Sequence, residues 1–520
     1  MKKPLKVLLP LALAAAAATL VGPVGSASSA SNAPAAHAAT KCVKYAGVES
    51  SGNKNSMDPA QQPSSQNSLN VNASYDRLTT EDDNWKVLPQ LATSWKSNAA
   101  GTVWTFQLRK GVKFWDGKPF TSADVVYTYR RVLDPKTGSE GASQMSFLKK
   151  SGVTAAGPYA VKFTTAKPVA ELPLLITNKN TFIVQNGATT ATLRTKGAGT
   201  GPFIPVAFKP AKQVQTFNRN PNYWQKGLPK APCLQLYVIQ EPNSMLAALQ
   251  TGQVDFSQQV AYEVVPALKS DSRVKLTATG ASTSMTMPMW TDTAPFDKVE
   301  VRQALKMVVD REQIVQNALL GYGVVGDDNP VPPSSPDAWR KTVPGPDVPG
   351  AIKLLESVGY NASNPLKVDI YTADMIPGIV NMVQLYKQQA AKAGIQVNVI
   401  TGPASEYWDN VWLKQPFQVS AWSARPAGLA LSIAYLGNAP YPESHWKVPA
   451  FDALIQKANT TVNPAARSAV YQEAGKMLTE QGGEIIPVFQ KVVTATRSNC
   501  SGYVPSIQFV QFDLTKLQCK

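Results

Sequence analysis

Residues 108–134, reading LRKGVKFWDGKPFTSADVVYTYRRVLD, constrain this chain more than any other stretch, because three local structures must follow one another there. Just upstream, Trp104, Phe106 and Leu108 alternate with Val103, Thr105 and Gln107, the period of a half-buried strand. Val112 and Phe114 continue the alternation, and Asp116-Gly117 supplies residues that tolerate a tight turn with positive φ. Thr121 and Asp124 then stand in capping-box spacing, a hydroxyl for the free amides of a helix start and an acid near its positive end. Val125, Val126, Tyr129, Val132 and Leu133 form one stripe, and Asp134-Pro135 stops the helix. The spacing predicts a hairpin feeding an amphipathic helix.

As a motif, F-x-L-R-K-G-V-K-F-x-D-G-K-P-F-T-x-x-D-V closely resembles the signature of the extracellular solute-binding proteins of family 5, the peptide, nickel and opine receptors of ABC importers. The match is long and gapless, and the stretch is expected to build scaffold without touching a ligand. Other segments extend the resemblance from about Asp58 to Phe489. They include Met57-Asp58-Pro59, Tyr75-Asp76-Arg77-Leu78, Gly199-Thr200-Gly201-Pro202-Phe203 and Asn218 through Tyr223-Trp224. Further on, PFDKVEVRQALKMVVDR at 295–311, NPAARSAVYQEA at 463–474 and Ile486-Pro487-Val488-Phe489 are similar to family motifs.

The chain opens with Lys2, Lys3 and Lys6 before an apolar run at 7–21, and Ala36-His37-Ala38 offers a small-x-small cleavage site. A signal peptide over residues 1–38 is therefore expected, with a competing reading as an N-terminal anchor. Cys42 follows Thr40-Lys41, which is no lipobox, so the expectation is secretion, to the periplasm or the outer face of the membrane.

At 520 residues the chain is too long for one compact core. Its net charge is +16, or +13 without the three lysines of the first 40 residues, yet no basic run exceeds two residues. That pattern describes a solvated basic surface and not a nucleic-acid partner. Four cysteines in an exported chain, Cys42, Cys233, Cys500 and Cys519, allow two disulfides in three pairings. His37 leaves with the signal, so His445 alone remains and no multi-histidine metal site is expected. Gly321 to Gly326 matches GxGxxG, but a helix precedes it and a Pro-rich loop follows, the wrong context for a dinucleotide.

Segments 233–255 and 351–400 alternate strand and helix patterns, so parallel pairing and an α/β class are expected. Two functions follow from different premises. The motifs imply a non-catalytic receptor that closes two lobes on a solute. The abundant acids leave room for a secreted carboxylate-dependent hydrolase, although no G-x-S-x-G or triad context occurs.

The resemblance implies a two-lobed periplasmic-binding-protein-like fold, type II and cluster C-like, with an accessory domain. Residues 39–75, 186–275 and 486–520 would form lobe I, 76–185 the accessory domain and 276–485 lobe II. It implies adjacent parallel strands beginning at Cys42 and Cys233, hence disulfides Cys42–Cys233 and Cys500–Cys519. It also implies an ABC importer permease as partner, a monomer, no cofactor, no metal, and an oligopeptide-like or opine-type anionic ligand between the lobes. In peptide-binding relatives a segment like G-W-x-x-D sets tryptophan on the cleft wall and an acid against the ligand's ammonium. Here the matching residues are Trp422 and Arg425, so an anionic group is expected at Arg425. The remaining contacts implied by this alignment are Asn53, Met287, Phe489 and Gln490, with Tyr441 as a nearby aromatic.

Overall fold

The computed structural model describes residues 41–48, 54–62, 65–340, 342–508 and 513–520. The expected signal peptide and Asn53 lie outside them. A seven-stranded mixed sheet is built around Val43–Gly47, which pairs in parallel with Cys233–Val238 on one side and Phe256–Ser257 on the other. Helix Pro242–Thr251 joins those two flanking strands, so the expected strand-helix-strand unit is present with a third strand inserted between its arms. The sheet's other pairings are antiparallel. Parallel register puts Cys42 and Cys233 together at the strand starts, and the disulfide Cys42–Cys233 closes there. Cys500–Cys519 joins the second pair, as expected.

Residues 108–134 fold largely as read. Strand Val103–Leu108 lies in a four-stranded antiparallel sheet, Gly117 takes φ +85, and helix Ser122–Val132 follows. Asp124 accepts the Thr121 amide at 2.8 Å, the reciprocal half of a capping box. The expected second hairpin strand shrinks to one bridge between Lys113 and Pro119, because the turn at 114–118 closes within four residues of it.

The family-like motifs meet one another in space, which explains their composition. Asp58, fully buried, receives a fork of hydrogen bonds from Arg131 in the last turn of helix Ser122–Val132, one of them 2.8 Å long. Asp76 is buried and accepts from Thr200 Oγ1 at 2.7 Å, Tyr223 Oη at 3.0 Å and Trp224 Nε1 at 3.0 Å. Two separate motifs thus converge on the carboxylate of a third. The two glycines of Gly199-Thr200-Gly201 are sterically required, since a Cβ at either would lie 2.1–2.3 Å from Ser74 backbone atoms. Trp115 seals the same junction by donating its amide to the Gly199 carbonyl. Asp76→Ala is expected to lower unfolding stability by about 3 kcal/mol, because it strands several buried donors at once. Asp76→Asn should lose less, and chemical denaturation of both variants would read the order.

In the second half, Arg302 is buried and donates to the carbonyls of Phe296 (2.7 Å) and Gln481 (2.6 Å), tying the 295–311 motif to the end of helix Pro464–Gln481. Strands Lys367–Thr372 and Gln396–Thr401 pair in parallel around helix Ile379–Ala391. The GxGxxG segment contains strand Gly323–Val325, which pairs with Glu484–Gln490.

Candidate functional site

A four-stranded antiparallel sheet carries the site, in the order Gly323–Val325, Glu484–Gln490, Thr283–Pro288, Ser420–Ser423. Strand alternation divides its residues. Met285 and Met287 face the core and are fully buried, whereas Ser284 lines a cavity on the opposite face. Met287, expected at the ligand, is thus packed inside, and Ser284 and Thr283 reach the cavities in its place.

Two spaces meet at Ser423. The smaller, about 30 Å³, is lined by Trp85, Ser284, Trp422, Arg425, Tyr435 and Phe489 among others. The larger, about 1140 Å³, runs between the segments 239–245 and 259–263 beside the seven-stranded sheet and the segment 374–381 with Trp408 and Gln490. The larger cleft bears three acids, Glu241, Glu263 and Asp374, and no lysine or arginine; Arg425 belongs to the smaller space.

Arg425 is half-buried, lies 4.9 Å over the Trp422 ring and donates to the Ser423 carbonyl at 2.9 Å. Among the described residues it forms no ion pair. Burial pulls its guanidinium down to about 10, against the fields of Tyr441 and Glu443. It remains charged at neutral pH.

Trp422 is held from behind. Its indole donates to Glu443 Oε2 at 2.7 Å, and Trp412 donates to the other oxygen of the same fully buried carboxyl. Tyr441 completes an aromatic cluster, 5.4 Å from Trp412 and 5.6 Å from Trp422, and Trp408 abuts Trp412 at 5.4 Å. Burial raises the Glu443 carboxyl, while Ser420 and the two indoles oppose the rise. A wall so fixed presents a flat apolar surface at little ordering cost.

Deeper in, burial draws Lys306 down to about 8, and its ammonium donates to the carbonyls of Leu478 and Thr479. Burial raises Asp327 to about 7, against the pull of Arg340 at 3.3 Å and helped by Asp328. A carboxyl raised in the folded state keeps a proton that the unfolded chain has already released. Its contribution therefore makes stability fall as pH rises from about 4 to 7. Asp327→Asn removes that dependence, so its melting temperature relative to the parent should rise between pH 5 and pH 8. A constant difference across that range would contradict this.

A family model for the bacterial extracellular solute-binding proteins, family 5 (middle), matches residues 86–439. The chain belongs to that family. Its members bind solutes and are not enzymes, which sets aside the hydrolase reading. Among relatives, the glutathione-binding protein GsiB of Escherichia coli K12 is 26% identical over 450 residues, covering 82% of this chain and 86% of that one. Two solved structures share the fold. AgaA of A. tumefaciens R10, in complex with agropinic acid, has TM-score 0.77 and 21% identity over 92% of this chain and 99% of that one. The dipeptide-binding protein of Pseudoalteromonas sp. SM9913, in complex with Met-Leu, has TM-score 0.77 and 21% identity over 92% and 100%. The two-lobed α/β class read from the motifs is the one these structures display.

In this family-5 protein Trp422, Arg425 and Phe489 come together at the small cavity, and Gln490 faces the large cleft. Tyr441 joins the wall through Trp422 but opens onto a neighbouring groove. Sequence reasoning missed Glu443, Ser423 and Trp85. An isolated acid in Tyr441-Pro442-Glu443 carries no local sign of burial, and Trp85 comes from a distant loop. No helix among the described residues is long and apolar enough to cross a membrane.

Proposed function

We propose that the protein is the substrate-binding component of an ABC importer that captures a small amino-acid-derived anion, opine-type or oligopeptide-like, with its carboxylate on Arg425. The observation that carries this reading is Arg425 itself: a charged guanidinium without an ion-pair partner among the described residues, braced on Trp422 in a small cavity that meets an acid-lined cleft at Ser423. A guanidinium fork suits a carboxylate, and the acids across the cleft suit a solute's amine. The ligands named for AgaA, GsiB and the dipeptide-binding protein support this class.

A cavity of about 30 Å³ admits one water, so a solute's anionic group enters only with displacement of a lining segment such as Trp85 or residues 424–426. The lobe assignment that accompanies this reading is 39–75, 186–275 and 486–520 against 276–485, with 76–185 as accessory domain. Sheet membership agrees with most of it, but Val274–Ala278 pairs along its whole length in the seven-stranded sheet and Glu484–Gln490 in the four-stranded one, which moves the two boundaries to about 278/279 and 490/491. A thermal-shift panel of opines, dipeptides and neutral sugars tests the proposal. Amino-acid-derived anions should raise the melting temperature, and small-angle scattering with the solute so found should show compaction. A response confined to neutral sugars would overturn it.

A further inference from the structure

Behind the Trp422 wall lies a group of buried oxygens that the solute reading does not use. Glu484 is fully buried, and neither carboxylate oxygen meets a hydrogen-bond donor among the described residues. The charges that act on it are Glu443, Lys306 and Asp328. Lys306 is committed to the carbonyls of Leu478 and Thr479, and Asp328 to Arg311 at 2.6 Å. Tyr435, 1% exposed, has an unpartnered hydroxyl on which Glu484 and then Glu443 act as charges. Thr286 and Ser420 oppose each other across the strand pair, both fully buried and both with hydroxyls lacking a well-formed hydrogen bond. Ser420 sits beside Glu443. Ser444 is the next buried hydroxyl without a partner, and a Cβ on Gly483 would lie 3.0 Å from its Cβ.

Native interiors seldom leave so many buried oxygens unmatched in one place. A carboxyl buried beside a second carboxyl is strongly disfavoured in its charged form unless a cation faces it. The donor set also has a chemical character. It offers two carboxyls and several hydroxyls, with no imidazole or thiolate, and such all-oxygen sets select hard cations over zinc, copper or nickel. The grouping of Asp255 with Cys500 and Cys519 is no rival site, because both sulfurs are tied in a disulfide.

We infer that Glu484, Tyr435, Ser420 and Glu443 form a site for a hard cation, of the calcium or alkali-metal class, that braces the tryptophan wall from inside. Because Glu443 also holds both indoles, the cation would fix the carboxylate that positions Trp422. The site is independent of the solute and is testable without one.

The test uses the mature protein freed of metals by chelator dialysis into buffer with a bulky organic cation. Ca²⁺, Mg²⁺, Na⁺ and K⁺ are titrated separately while melting temperature is followed, and bound metal is counted by atomic emission. One of these ions should bind with one-to-one stoichiometry and raise the melting temperature by about 3 °C at a hundred times its dissociation constant. Glu484→Gln should abolish that response, and Tyr435→Phe, which removes only a hydroxyl, should weaken ion affinity about tenfold, the scale of one lost ligand bond. Glu480→Gln, at an exposed acid, should leave it unchanged. No ion giving a saturable shift, or a shift that persists in both Glu484→Gln and Tyr435→Phe, would overturn the inference. In that outcome Glu484 is a neutral acid solvated by buried water.

Discussion

Replacing Arg425 by aspartate is expected to weaken capture of an anionic solute more than about a thousandfold. Two unit charges ~4 Å apart interact by about 4 kcal/mol at an effective dielectric near 20, and each 1.4 kcal/mol is about tenfold in affinity. Losing that attraction alone accounts for about a thousandfold, and the carboxylate adds repulsion at a point where the cavity is narrow. Arg425→Ala should lie between parent and Arg425→Asp. Arg425→Lys should recover only part of the loss, since an ammonium keeps the charge but loses the fork and the stacking on Trp422. Calorimetric titration of each variant with the anion found by the panel reads these differences, and melting temperatures separate lost binding from lost folding. Unchanged affinity in both Arg425→Ala and Arg425→Asp, with unchanged stability, would show that Arg425 does not touch the solute.

The largest expected effect on stability belongs to Cys42–Cys233, which closes a loop with a sequence separation of 191. Chain-entropy reasoning assigns such a closure about 5 kcal/mol, against about 3 kcal/mol for the separation of 19 at Cys500–Cys519. For a protein of this size, unfolding entropy near 1 kcal/mol/K converts the larger value to about 5 °C. The double variant Cys42→Ser/Cys233→Ser should therefore melt about 5 °C below the parent, and Cys500→Ser/Cys519→Ser about 3 °C below. The reverse order, or no drop in the first, would mean that the strands hold that register without the bond.

Much of the fold was legible because its signals are local. The stripe Val125–Tyr129–Val132, the cap at Thr121 and the Asp116-Gly117 turn each depend on a few adjacent residues, and each appears where the spacing put it. The second strand of the first hairpin was overread because the alternation of Val112 and Phe114 reflects packing into the hydrophobic cluster around Phe106 and Tyr129, not ladder pairing. The convergence of Thr200, Tyr223 and Trp224 on Asp76 could not be read from spacing, since more than a hundred residues separate the partners. The site was partly legible for the same reason. Trp422 and Arg425 lie in one short segment, whereas Glu443, Trp85 and Tyr435 join them only through tertiary packing. Met287 shows the limit of carrying a contact along a strand: a one-residue difference in facing moves a side chain from cavity to core.

The central claim is capture without chemistry. Titrating the purified mature protein with the anion identified by the panel, then recovering and quantifying that solute after prolonged incubation, tests it most directly. The account predicts one equivalent bound per chain and full recovery of unaltered solute. Conversion of more than one equivalent per chain, increasing with time, would contradict it.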